Sequence, residues 1–170
     1  TLAEFLSQRG YDVLSDDVGA ISVSGGQVRV LPGHPFVKLR HQSIDWLLGS
    51  DAIKPAGKDG RVHLTKSRLT QNSSPLDALF LLSRSFSSEI KLDQPNPRTL
   101  IMALMHNTHG VHLLTRADYQ AQLLKQCSSV VERIPVLRLH RKRGLEHVPR
   151  IVEEVERLVG QECNLSGSVP

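Results

Sequence analysis

Residues 18–31, VGAISVSGGQVRVL, constrain the fold of this chain more than any other stretch. Apolar and polar side chains alternate on either side of Ser24-Gly25-Gly26. Period two puts successive side chains on opposite faces of a strand, and glycine accepts the positive φ angles of a tight hairpin turn. The pattern predicts strands over Val18–Val23 and Gln27–Leu31, joined as a β-hairpin. Upstream the period changes: Leu2, Phe5 and Leu6 fall at helical spacing, and Gly10 stands where such a helix would stop. Val13–Leu14 reads as a short buried strand running into Asp16 and Asp17.

Helical and strand patterns continue to intersperse downstream. The stretch 31–40, LPGHPFVKLR, holds two prolines and a glycine and reads as a loop. Ile44–Leu48 reads as a short helix, Ala52–Gly60 as an exposed, mobile loop and Arg61–Leu64 as a strand. Asn72-Ser73-Ser74-Pro75 reads as the start of a helix carrying Leu76, Leu79, Phe80 and Leu82. Glu89–Leu92 is a candidate strand, and Asn96-Pro97 opens a helix to about Asn107. Thr115 is the candidate cap of a long helix with Tyr119, Leu123, Leu124, Cys127, Val130 and Val131 along one side. Pro135–His140 alternates as a strand, Leu145–Leu158 is amphipathic, and residues 160–170 read as a flexible tail. Strands interspersed with helices predict an α/β fold, a mixed sheet flanked by helices.

At 170 residues the chain fits one domain, read here over 1–159, with a core that must be aliphatic because aromatics are only 4%. No apolar run approaches the roughly 20 residues that cross a bilayer, and no leader pattern opens the sequence. A cytoplasmic protein with no membrane partner is the expectation. The net charge of +4 is too mild and dispersed to argue nucleic-acid binding. Cys127 lies on the apolar side of its helix and reads as a buried structural thiol. Trp46, with Ile44 and Leu47, reads as a core anchor. His106, His109 and His112 are spaced across a helix end that Gly110 breaks, so they are not expected to converge on a metal. Ser15 has no local histidine to activate it, which argues against a hydrolase.

The acidic pair is the chemical feature of the sequence. Two adjacent carboxylates at a strand end suit a solvated turn. They are also what a phosphate-and-metal site needs, since magnesium takes one or two carboxylates beside phosphate oxygens and a neighbouring carboxylate can accept a proton from a hydroxyl. Two basic clusters accompany it: His34, Lys38, Arg40 and His41 after the hairpin, and Arg138, Arg141, Lys142 and Arg143 after the last strand. Each reads either as a solvated surface or as contacts to phosphate or an acidic peptide.

The run TLAEFLSQRGYDVLSDDVGAI resembles the segment that follows the phosphate-binding loop in the HPr serine kinase family. There a Gly-Lys-Ser loop leads into a helix, an Arg-Gly pair, a strand and paired aspartates; here Arg9-Gly10 and Asp16-Asp17 stand at that spacing. Tyr11 replaces the histidine usual in the true HPr kinases. QVRVLPGHPFVKLR resembles a divergent bacterial branch, some of whose members phosphorylate lasso-peptide precursors. The likeness is close over 1–40, looser over 75–159 and absent over 50–74.

The resemblance implies a P-loop kinase domain of the HPr kinase/PEP carboxykinase-like type. It implies an ATP-dependent, Mg2+-requiring serine kinase acting on a protein or peptide, with a Gly-x4-Gly-Lys-Ser/Thr run expected directly before Thr1. Carried over, Asp16 is the general base and Asp17 the metal ligand, an assignment that could be reversed. Thr1, Arg138 and Arg141 would meet the nucleotide, and His34, Lys38 and Arg40 the substrate. Homo-oligomers occur in the family. The alternative is a nucleotide-fold module that binds a peptide or partner enzyme without catalysis.

Overall fold

Gly25 and Gly26 take φ angles of 56° and 79°, and a hairpin closes around them with Ser24 opposite Gln27. This is the positive-φ geometry whose twist matches paired strands. The computed structural model describes residues 2–34, 36–49, 61–65 and 72–165. In chain order the elements begin with α1 (Leu2–Gln8), β1 (Ala20–Ser24), β2 (Gln27–Leu31), β3 (Phe36–Arg40), α2 (His41–Leu48) and β4 (Arg61–Thr65). There follow β5 (Ser74–Pro75), β6 (Leu79–Arg84), β7 (Lys91–Asp93), α3 (Pro97–Asn107), α4 (Ala117–Arg133), β8 (Val136–Arg141) and α5 (Val148–Leu165). The fold is α/β, with small sheets flanked by helices. Its elements group into two compact units, each drawn from separated segments: residues 1–19, 32–72 and 142–170, and residues 20–31 and 73–141.

In the first unit β3 pairs antiparallel with β4. Val37 and Leu39 alternate inward from β3 and pack with Ile44 of α2, all essentially without solvent contact, and Val13 and Leu47 close the cluster. The expected loop over 31–40 is therefore confined to its first residues. Alternation in FVKLR prevails because two aliphatic residues on one strand face find a core. Helices α1 and α5 also lie together here. Trp46 is 38% exposed and stacks on Phe5 of α1, so it lies at the edge of the cluster rather than anchoring it.

The second unit holds two sheets, β1-β2-β5 and β6-β8-β7. In the latter β6 runs parallel to the central β8 and β7 antiparallel to it, a mixed sheet. Val28, Leu100, Val130 and Val136, contributed by β2, α3, α4 and β8, form the buried cluster, with Leu76, Leu79 and Leu81 against it. The helix expected after Pro75 is instead β5 and β6. Leu76, Leu79, Phe80 and Leu82 satisfy helical spacing, but a short apolar run does not distinguish helix from buried strand. Pairing of Leu79–Arg84 with the distant Val136–Arg141 decides for the strand.

Helix ends follow local chemistry. Asn96 caps α3 by accepting the Thr99 N–H at 3.0 Å, with Pro97 in the first turn. Asn96→Ala should cost about 1 kcal/mol, read as a lower urea midpoint at unchanged slope. At α4 the cap position falls on Arg116, not Thr115, and Arg116 instead forks onto Asp118 at 3.1 and 2.7 Å. Leu123, Cys127 and Val130 of α4 are buried as expected, whereas Tyr119 and Leu124 are each 46% exposed. Burial raises the Cys127 thiol pKa above its ordinary value. Helix α5 starts at Val148, behind a short 3-10 turn over Leu145–His147, and continues to Leu165, into the stretch expected to be a tail. The Ala52–Gly60 loop lies outside the described residues. No helix among the described residues is long and apolar enough to cross a membrane.

Candidate functional site

The acidic pair sits in an irregular loop and not on the strand expected at Val13–Leu14. One backbone bond, Gly33 N–H to the Leu14 carbonyl at 2.8 Å, ties this segment to the turn before β3, where a strand would need a ladder. The contact is close: a Cβ on Gly33 would fall on Ser15 Oγ and 2.8 Å from Ser15 Cβ. Glycine is thus required in the Pro32-Gly33 turn because the backbone must approach the acidic loop. Ser15 Oγ donates to the Val18 carbonyl at 2.5 Å and closes the loop on itself.

Both aspartates then meet one residue of β3. Asp16 Oδ2 accepts the backbone N–H of Lys38 at 2.8 Å, and Asp17 Oδ2 pairs with Lys38 Nζ at 2.9 Å. The Asp16 carboxylate takes an N–H on the edge of β3, standing in for the strand that is not there. One N–H uses one of about four lone-pair sites on a carboxylate, so Asp16 keeps acceptor capacity. Asp16 is half-buried and Asp17, with 53% of its side chain exposed, faces solvent. Neighbouring carboxylates are oxygen donors of the kind a hard cation takes, but they belong to no group of three metal-capable side chains among the described residues. The Lys38 ammonium shows that positive charge is drawn to Asp17.

The other expected site residues are distributed as follows. Lys38, expected on the substrate, is held by the aspartates. His34 is exposed in the turn before β3, and Arg40 is exposed at the N-terminal end of α2. Thr1 lies outside the described residues. Arg138 and Arg141 belong to the second unit, where Arg138 Nε stands 4.0 Å from Asp93 Oδ1. The same Asp93 oxygen is 2.7 Å from His140 Nε2. For His106, His109 and His112, no metal-capable group of three His, Cys, Asp or Glu side chains is formed among the described residues.

The Arg9-Gly10 pair proves structural in its contacts. Gly10 has a φ of 98° and ends α1, and Arg9 forks onto Glu156 of α5 at 2.9 and 2.7 Å. Tyr11 also hydrogen-bonds Glu156, which raises the phenol above its ordinary value. The Arg9 hydrogen bond, aided by Tyr11, holds the Glu156 carboxyl below its ordinary 4.5. A lowered carboxyl stabilises the fold above its unfolded value, and that contribution is lost as pH falls through the folded value. Arg9→Met should therefore lower stability near neutrality, and its difference from the unchanged protein should vanish in acid, read by urea unfolding across pH 3–7. Sequence reading missed the Gly33 contact and the Glu156 anchor. A Pro-Gly turn signals the first, while nothing local signals the second.

Compared with family models, curated proteins and solved structures, the chain matches none.

Proposed function

We propose that this chain carries the acidic half of an ATP-dependent serine kinase of the HPr kinase-like type, acting on a protein or peptide such as a lasso-peptide precursor. One observation carries the reading: Asp16 and Asp17, adjacent in a loop after α1, are both held on Lys38 of β3. The order of helix, Arg-Gly pair, acidic loop, hairpin and β3 follows the resemblance in the sequence. In this reading the fold is of the P-loop kinase type.

Asp16, oriented by the Lys38 N–H, takes the proton of the substrate serine as the serine oxygen bonds to the γ-phosphorus of ATP and the bond from that phosphorus to the departing ADP breaks. Asp17 would hold Mg2+, directly or through water. Magnesium neutralises phosphate charge when bound, and the chain's part is positioning and charge. His34 and Arg40 are the exposed groups on this side that can meet a peptide.

The test uses the complete gene product carrying this chain, labelled ATP and serine peptides, with mass analysis of the products. Transfer of one phosphate to a peptide, falling about 10²–10⁴-fold in Asp16→Asn, supports the kinase. The Lys38 ion pair on Asp17 favours a second reading, a binding module in which Asp17 is neutralised internally. That reading requires no label transfer and unchanged partner binding by Asp16→Asn.

A further inference from the structure

Arg84 is the last residue of β6 and Arg141 the last of β8, and the parallel register sets them opposite one another. Alternation puts both on the same face of the sheet, at strands about 4.8 Å apart. Like charges directly opposite destabilise a sheet, so such a pair calls for a counter-charge. Among the described residues neither arginine has an ion-pair partner, and neither is among those with further interactions. Arg141 Nε is moreover buried with no hydrogen-bond acceptor.

Among the described residues, the acids on and just before β7 are committed elsewhere. Asp93 pairs with Arg138 and His140, whose positions in β8 alternate to the opposite face from Arg141. Glu89 lies 3.3 Å from Lys91. The ladder runs on past the arginines through Ser85 N–H to the Arg141 carbonyl at 2.8 Å, so the two strand ends are held in register. Carboxyl ends of parallel strands are where α/β sheets bind ligands, and paired guanidinium forks match the oxygens of phosphate.

We propose that Arg84 and Arg141 form an oxyanion site for a phosphoryl group, supplied either as free phosphate or by a nucleotide. The site does not rest on the kinase reading. It replaces Arg138, which Asp93 engages, with Arg84, which the sequence did not single out.

The test is isothermal titration of the purified protein with inorganic phosphate and, separately, with ADP, at constant ionic strength set by chloride and without divalent metal. Saturable binding is expected, weakened at least tenfold by Arg84→Ala and by Arg141→Ala, and partly kept by Arg84→Lys, which retains charge without the fork. Lys125→Ala, on α4, should leave binding unchanged. ADP binding tighter than phosphate and lost in Arg84→Ala assigns the site to a nucleotide; phosphate as tight as ADP or tighter assigns it to the free anion. No saturable binding of either probe, or equal affinity in Arg84→Ala, overturns the proposal. Arg84 is exposed at a strand end, so its variants decide the matter even where Arg141→Ala fails to fold.

Discussion

Asp16→Ala should destabilise the protein by about 1–3 kcal/mol, because it strands the Lys38 N–H on the edge of β3 without an acceptor. Asp16→Asn should cost much less in stability, since its amide oxygen can accept the same N–H. For phosphoryl transfer the expectation reverses: an amide cannot take a proton, so Asn should be as inactive as Ala. Urea unfolding and label transfer on the two variants thus separate the structural role of the carboxylate from the proposed catalytic one. An Asn variant as unstable as Ala would show that charge, and not the acceptor, holds the loop. An Asn variant with full transfer would remove Asp16 as the base.

Leu100→Ala should have the largest effect on stability away from the acidic loop. Leu100 is 2% exposed and sits in one cluster with Val28, Val130 and Val136. Those partners come from two strands and a helix, so the cavity would open where three elements meet α3. Removing a buried leucine side chain costs about 2–5 kcal/mol, the upper end where neighbours cannot collapse into the space. For a chain of this size each kcal/mol lowers Tm by roughly 2–4 °C. Met102, one turn-face away on the same helix and 47% exposed, is the matched control. Met102→Ala should shift Tm by far less, read by the same thermal melt.

Where a local rule had a local answer, the elements were legible in advance. Gly25-Gly26 closes the hairpin because only positive φ suits that turn, and Asn96-Pro97 opens α3 because a side-chain oxygen and a missing N–H both suit a first turn. The PVLRLH strand and the buried Cys127 follow from periodicity alone. The stretch 75–84 forms strands and not the expected helix because its leucines fit two periods, and the partner strand that chooses between them lies far along the chain. Val13–Leu14 departs from expectation for the complementary reason: it has a strand's pattern but no ladder, and Asp16 supplies a side-chain acceptor in its place.

The acidic pair divides along the same line. Local pattern alone places two carboxylates side by side after a helix and before a hairpin, with proline and glycine at the turn that follows. Long-range contacts set the rest: both carboxylates converge on Lys38, Gly33 must lack a Cβ to let the loop approach, and among the described residues no acid pairs with Arg84 beside Arg141. The physical reason is range. Turn chemistry and periodicity act over a few residues, whereas a side chain's partner is set by strands and helices that the chain brings together from far apart.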